Sequence, residues 1–331
     1  MTAPHFKGVI QWGLGILLFL FLLYMGGVTE ISRLPEVHWV YVFMLFLSTV
    51  GFTLSHNSRW KVIVDNTLIG KEGNFFSLYR YLVNSYAVGT VIPMDISLLG
   101  LRSYYLNRFQ NIPMPMAIFS VLLDRLLDLV ILLMMALPSF LYITRVTSIN
   151  QSSSIVLVLF AGLFSLAFWK KGNTFHFLLE IYQRLLVRFF SKVPFPGPRM
   201  VEGSDGGRTD CHFSQSSVNQ IIGWTLIKYI FLSLRFYLTG QALGIQFPVI
   251  KSFFFLPFIQ LSGLINVTPA GLGVVELGTY GALFLMGISS SQILIFVLGQ
   301  RVLLSFMLLL NLVISHAPPW LGRLKCLKSR G

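Results

Sequence analysis

Several ionisable side chains lie inside stretches of the chain that are otherwise apolar. In the densest group Asp124 and Asp128 are four residues apart, so their carboxylates share one face of a helix. Arg125 lies between them, three residues before Asp128 and within reach of a salt bridge along the helix. The group is either an internal ion pair that fixes packing or a setting in which carboxylates hold Arg125 against a ligand anion.

Basic side chains also occur singly in apolar stretches. Lys228 and Arg235 are seven residues apart, which places them roughly on one helical face, and Arg301 lies near the middle of 290–316. Arg102 is either a ligand contact or an interfacial charge at the cytoplasmic side. A charge at the centre of a bilayer costs roughly 2.5–3.5 kcal/mol on insertion scales. Residues at such positions usually face a partner or a water-filled pathway.

Among these deep positions positive charge equals or exceeds negative charge. The basic members are Arg102, Arg125, Lys228, Arg235 and Arg301, and the acidic members are Asp124, Asp128 and Glu276, with Asp95 as a further candidate. A surplus of cations needs an anionic partner, such as a phosphate or carboxylate. If one or two cations instead extend to the membrane interface, the remaining set is balanced. The pattern therefore predicts an anion site, with an internally neutral set of charges as the alternative.

The apolar stretch 249–287 is interrupted by residues that break helices. In chain order these are Asn266, Pro269, Gly271 and Gly273. Proline lacks a backbone donor and glycine permits positive φ, so we expect one helix to end here and another to begin near Glu276. A half-helix N-terminus inside a membrane is itself an anion site. The Glu276 carboxylate either caps that helix or pairs with a buried cation.

The apolar stretch 75–110 is interrupted in a similar way. Pro93 lies four residues after Gly89 and precedes Asp95 and Arg102, so it marks a second break. Asn84 is a polar residue on an apolar helix. It either makes an interhelical hydrogen bond, worth about 0.6 kcal/mol on average, or belongs to the functional part of the broken stretch.

The composition indicates a membrane protein. Of 331 residues, 55% are hydrophobic and 11% are charged, whereas soluble domains carry about a quarter charged residues. A membrane-spanning helix needs about 20 mostly apolar residues. This predicts six full spans, at 8–28, 38–56, 115–143, 154–169, 217–243 and 290–316. The stretches 75–110 and 249–287 are predicted to be broken or re-entrant helical hairpins, giving an all-α polytopic membrane protein with a single integral membrane domain over 1–331.

Basic residues concentrate in 57–74, in 170–216 and in the C-terminal tail, which predicts that these segments and both termini are cytoplasmic. The same rule accounts for the net charge of +13, so nucleic acid is not an expected partner. Segment 170–216 is expected to be a cytoplasmic loop with an amphipathic helix and a flexible part. The two broken stretches then enter from opposite sides, which is typical of an inverted repeat.

These motifs together resemble a known family. They are Asn84, Pro93 and Arg102-Ser-Tyr-Tyr-Leu; Ser120-x3-Asp124-Arg125-x2-Asp128; and Pro269-Ala-Gly-Leu-Gly-Val-x-Glu276. The chain resembles the flippase-like, lysylphosphatidylglycerol synthase transmembrane-region family over roughly 10–315. The family commonly has a Gly-Glu pair shortly before the first-motif arginine, where this chain has Leu98-Leu99, and the nearest acid is Asp95.

The resemblance implies a bacterial or archaeal inner-membrane protein that binds or translocates a phospholipid or a polyprenyl-linked lipid. By motif position the resemblance carries this functional expectation to Arg102, Asp124, Arg125, Asp128, Pro269, Gly271, Gly273 and Glu276. The alternative is a membrane subunit or scaffold of a lipid-modifying glycosyl or aminoacyl transferase system. We find no soluble catalytic domain, nucleotide-binding glycine loop or Cys/His cluster, so the expectation is a non-enzyme without cofactor or metal. A transferase partner and a homo-oligomeric state are left open.

Overall fold

The computed structural model describes residues 37–67, 73–148, 150–156, 213–264, 268 and 271–316, with isolated positions among 16–24 and 158–162. The regular secondary structure of these residues is helical. The main helices are α1 (Trp39–Thr67), α2 (Phe75–Val88), α3 (Met94–Gln110), α4 (Met114–Ile143), α5 (Gln215–Ala242), α6 (Val249–Leu264), α7 (Val274–Leu285) and α8 (Ser290–His316). The predicted spans 8–28 and 154–169 and nearly all of the predicted loop 170–216 lie outside the described residues.

Among the described residues four helices are long and apolar enough to cross a membrane, namely α1, α4, α5 and α8. They contain 29, 30, 28 and 27 residues, or about 40–45 Å of helix at 1.5 Å per residue. They confirm four of the six predicted spans. The boundary of α1 differs from the prediction, because the helix continues to Thr67 instead of ending at His56. No Gly or Pro interrupts it there, and Trp60, Ile63 and Val64 extend its buried apolar face.

The other four helices form two hairpins, as predicted. Helices α2 and α3 contain 14 and 17 residues, and α6 and α7 contain 16 and 12. At about 18–26 Å each, they are shorter than the hydrocarbon core of roughly 30 Å. Pro93 directly precedes α3, and Gly271 and Gly273, before α7, have φ of 66° and 82°. These glycines adopt the left-handed conformation that the sequence predicted for the second break.

The long helices α1 and α5 pack against each other in antiparallel directions. The backbone N–H of His38 donates to the carbonyl of Ala242 at 3.1 Å, which joins the start of α1 to the end of α5. At the opposite end, Ser217 donates to the side-chain oxygen of Asn66 at 2.9 Å. We call the first of these the upper end of the bundle and the second the lower end.

The two hairpins enter from opposite ends. At the lower end Asn57 donates to the carbonyl of Phe75 at the start of α2, and Tyr86 near the end of α2 reaches the interior. At the upper end the ring of Phe254, early in α6, lies 5.1 Å from that of Tyr142, late in α4. Helices α1–α4 and α5–α8 therefore repeat one order, long, short, short, long, in opposite directions. This order is that of an inverted repeat.

Packing between the halves follows the same symmetry. The second long helix of the first half, α4, packs on the first short helix of the second half, α6, and α8 packs on α2 in the corresponding way. At the centre of the repeat α1 and α5 approach closely, since a Cβ added to Gly51 would lie 2.5 Å from the ring of Phe231. The functional side chains lie around this central pair of helices.

Candidate anion-binding site

Two buried carboxylates form the centre of the site. Asp124 and Asp128 lie on one face of α4, as the spacing predicted, and are 0% and 7% exposed. They contact side chains from α1, α3 and α5, so three other helices meet at these two residues. We call Asp124, Asp128 and their basic partners Arg59, Arg102 and Lys228 the carboxylate centre.

Asp124 accepts hydrogen bonds from side chains of α1 and α3. The Nε of Arg59 donates to Oδ1 at 2.8 Å, and the Nη1 of Arg102 donates to Oδ2 at 2.9 Å. The Nε2 of His56 lies 2.8 Å from the same Oδ2, and its Nδ1 lies 2.6 Å from the hydroxyl of Tyr86. The hairpin α2–α3 is therefore tied to α1 and α4 through one carboxylate.

Asp128 joins the first half of the repeat to the second. The Nζ of Lys228 lies 2.6 Å from both of its carboxylate oxygens, and the Nη1 of Arg59 donates to Oδ1 at 2.7 Å. The hydroxyl of Tyr229 donates to the Asp128 backbone carbonyl at 3.2 Å. Arg59 thus bridges both carboxylates. Because it is 0% exposed, its charge is neutralised inside the protein.

The carboxylate centre carries more positive than negative charge. Three basic side chains share two carboxylates, a surplus of one positive charge with His56 counted as neutral. The surplus falls at Arg102, whose Nε and Nη2 are buried without a hydrogen-bond partner in the described part of the chain. Its guanidinium stacks at 3.8 Å over the ring of Trp60, whose Nε1 also lacks a partner. The Arg102 side chain is fully buried inside the protein.

Arg125 has a different partner from the one expected. The sequence suggested pairing with Asp128 along α4, but Arg59 and Lys228 occupy that carboxylate. Arg125 lies on another face of α4 and reaches Asp95, in the first turn of α3, with an N–O distance of 3.7 Å. The acid nearest the first motif therefore anchors the start of α3 to α4.

Glu276 anchors the second hairpin in the corresponding way. Its Oε2 accepts from the backbone N–H of Gly273 at 2.7 Å, and its Oε1 accepts from the Nε of Arg301. Capping and pairing, the two alternatives from the sequence, therefore both occur. The start of α7 is neutralised by its own residue, which removes that helix terminus as an open anion site.

Arg235 lies further towards the upper end, on the same face of α5 as Lys228. Both cations approach the ring of Phe52, at 4.9 and 5.9 Å. Within the described ranges Arg235 has no carboxylate partner. It lines a small, partly open cavity of about 30 Å³, together with Leu232, Phe236, Thr239, Leu256, Ile259, Gln260, Gln300 and Leu304.

The remaining predicted residues have no direct contact with these charges. Asn84 is half-buried on α2, and its side chain makes no hydrogen bond to the residues that the structure describes. Pro93 has only the role of preceding α3. Asn266 and Pro269 lie outside the described residues. The structure thus brings together Arg102, Asp124, Asp128 and Lys228, and leaves Arg235 and the Glu276–Arg301 pair separate.

The carboxylate centre also contains a set of donors that suits a metal ion. One donor atom each from His56, Asp124 and Asp128 lies within 4.8 Å of the others. Both carboxylates, however, already accept from basic side chains. A divalent cation would have to displace these and would add to a surplus of positive charge, so the donor set fits an anion-binding function better than a metal site.

Sequence reasoning missed Arg59 because it ended α1 at residue 56 and assigned 57–74 to a cytoplasmic loop, and it assigned no role to His56, the last residue of the predicted span. A signal was available in the apolar spacing of Trp60, Ile63 and Val64, which continues the helical face without a break. Tyr86 was also missed, and no spacing in the sequence connects it to His56.

The comparisons with known proteins agree with these features. The family model described as "Lysylphosphatidylglycerol synthase TM region" matches residues 9–310. A UPF0104 membrane protein of Methanocaldococcus jannaschii is 23% identical over 283 residues, which covers 79% of this chain and 80% of that protein. No solved structure matches the chain.

Proposed function

Because this chain belongs to the lysylphosphatidylglycerol synthase transmembrane-region family, we propose that it binds an anionic membrane lipid and moves its head group across the bilayer. The lipid is an anionic phospholipid or a polyprenyl-linked lipid. The protein is an integral membrane protein of α-helices. What we propose is the transport, the lipid that is transported and the residues that contact this lipid.

The single observation that carries the proposal is the surplus charge of the carboxylate centre. A buried cation without a counter-ion is expensive in a membrane, since removing one partner of a buried pair costs about 3–5 kcal/mol. Arg102 shares Asp124 with Arg59 and has two further N–H-bearing nitrogens without a partner among the described residues. A phosphate or carboxylate oxygen would satisfy both the charge and these donors.

The inverted repeat supports transport over static binding. Hairpins that enter from opposite ends bring non-helical backbone to the interior of the bundle, where it is tolerated only if buried in protein or lining a cavity. In each hairpin an acid in the first turn of the second short helix pairs with an arginine of the next long helix, Asp95 with Arg125 and Glu276 with Arg301. Alternating release of such anchors would open the interior to one end at a time.

The proposal also covers the orientation of the protein in the membrane and its protein partner. The distribution of basic residues supports a cell inner membrane location with both termini in the cytoplasm. The chain acts without catalysing a covalent step, and a lipid-modifying transferase would supply or consume the lipid.

The test is reconstitution into proteoliposomes that contain acyl-labelled fluorescent phosphatidylglycerol or phosphatidylcholine. Dithionite quenches only the outer leaflet, so a loss of fluorescence beyond that leaflet reports translocation, measured with and without an imposed membrane potential. We expect translocation of the anionic lipid by the wild-type protein and its loss in Arg102→Gln. The control Arg108→Gln removes an exposed cation from the same helix and should keep activity. Binding of phosphatidylglycerol without any translocation would contradict the transport proposal and support the transferase-subunit alternative.

A further inference from the structure

Two arginines of each half occupy corresponding positions in their long helices. Arg59 and Arg235 are each the twenty-first residue of their helices, α1 and α5. Arg125 and Arg301 are each the twelfth residue of α4 and α8, and both pair with an acid in the first turn of the preceding short helix. Arg235 is therefore the second-half counterpart of Arg59.

The counterparts differ in their acidic partners. Asp124 and Asp128 are the eleventh and fifteenth residues of α4, and the same positions of α8 are Gln300 and Leu304. Arg59 is neutralised by two carboxylates. Arg235 lines a cavity with Gln300 and Leu304, the residues at the positions of those carboxylates, so the second half keeps the arginine and lacks the two acids.

The cavity beside Arg235 has the polar groups that an anion needs. Gln260 and Gln300 line it from α6 and α8, and each carries an amide that donates two hydrogen bonds. Gln260 is the twelfth residue of α6, and its first-half counterpart is Tyr86, the twelfth residue of α2, which hydrogen-bonds to His56. A polar side chain thus occupies the matched position of the first short helix in both halves.

The remaining walls of the cavity are formed by Thr239 and by the apolar side chains of Leu232, Phe236, Leu256, Ile259 and Leu304. An arginine guanidinium binds phosphate oxygens in a bidentate geometry, and neutral amides complete such a site without adding charge. Apolar walls suit the glycerol backbone and acyl chains that follow a lipid phosphate. The mixture favours an amphiphilic ligand over a small hydrated ion.

We propose that the cavity lined by Arg235, Gln260 and Gln300 is a binding site for the phosphate group of a membrane lipid, a second anion site distinct from the carboxylate centre. This deepens the proposed function, since it names the phosphate as the group recognised in the second half. The site itself requires only binding and can be tested without transport.

The experiment is native mass spectrometry of the delipidated full chain in detergent with three probes: phosphatidylglycerol, diacylglycerol with the same acyl chains, and inorganic phosphate. Arg235→Gln should weaken phosphatidylglycerol binding about tenfold or more, and Arg235→Lys should weaken it less. Gln300→Asp keeps Arg235 and gives it the carboxylate found in the first half, so it should weaken binding to a similar extent. The matched control is Arg108→Gln, and circular dichroism and gel filtration establish that each variant is folded.

Each outcome decides between the alternatives. Wild-type affinity in both Arg235→Gln and Gln300→Asp would overturn the site, as would equal binding of diacylglycerol. Binding of inorganic phosphate as tight as that of phosphatidylglycerol would overturn the lipid assignment. If binding depends on Arg235 while proteoliposomes show no translocation, the site stands and the proposed transport fails. If translocation occurs and Arg235→Gln leaves both binding and translocation unchanged, the site fails and transport stands.

Discussion

Arg125 and Arg301 occupy the same position in the two halves of the protein, and each pairs with a carboxylate from the hairpin that precedes its helix, Asp95 and Glu276 respectively. Two long helices thus hold two hairpin tips through equivalent ion pairs. The predictions below address these pairs, the carboxylate centre, the packing of the central helices and the orientation.

Loss of either hairpin anchor should abolish lipid translocation without preventing membrane insertion. Arg125→Ala and Glu276→Ala each leave an anchoring charge without its partner. The measurement is translocation of fluorescent phosphatidylglycerol in proteoliposomes, with insertion checked by alkaline extraction. The charge exchange Asp95→Arg with Arg125→Asp should restore part of the activity, because it restores the pair. Full activity in both single variants would remove the basis for a gating role.

Arg59→Gln should destabilise the protein strongly. Arg59 bridges two buried carboxylates, and breaking a buried ion pair costs about 3–5 kcal/mol. The matched control is Lys61→Gln, two residues later on α1, where the pair with Asp65 is partly exposed and is worth about 0–1 kcal/mol. Unfolding in a mild detergent, followed by circular dichroism against denaturant, compares the two. Equal midpoints would mean that the carboxylate centre contributes little to stability.

Gly51→Val should loosen the packing between α1 and α5. A Cβ at Gly51 would lie 2.5 Å from the ring of Phe231, and overpacking of this kind costs typically about 1–3 kcal/mol. The control is Gly100→Ala in α3, where no atom lies within 4 Å of the added Cβ and a helical alanine stabilises by roughly 0.5–1 kcal/mol. The same unfolding measurement should move in opposite directions for the two variants. A second change, Phe231→Leu, should offset part of the Gly51→Val loss.

The proposed orientation predicts which end of the bundle faces the outside of the cell. Gln246 at the upper end and Arg108 near the lower end are both exposed. After Cys211 and Cys326 are replaced by serine, a membrane-impermeant maleimide should label Gln246→Cys in intact cells and Arg108→Cys only after permeabilisation. The reverse pattern would place both termini outside the cytoplasm.

Much of the fold could be predicted from apolar lengths and helix breakers. The four long helices and both hairpins follow from these, and the opposite entry of the hairpins follows from the charge distribution. The site was predictable only in part. Spacing placed Asp124 with Asp128 and Lys228 with Arg235, because each pair lies on one helix.

Pairing between helices could not be read from spacing. The sequence offered Arg125 as the neighbour of Asp128, whereas tertiary contacts bring Arg59 and Lys228 to that carboxylate from two other helices. The partner of Arg301 was equally hidden, since Glu276 is 25 residues away in the sequence. The matching positions of Arg59 in α1 and Arg235 in α5 could be recognised only from the boundaries of these helices.

Gln300 and Leu304 of α8 stand at the positions that Asp124 and Asp128 occupy in α4. The two halves of the protein therefore differ in their buried charge. An anion that reaches Arg235 from the upper end crosses only part of the transmembrane voltage, and one that continues to the lower end crosses the rest. A full crossing changes the energy of one elementary charge by about 2.3 kcal/mol per 100 mV. If the cavity binds an anion as proposed, its occupancy is therefore expected to depend on the membrane potential.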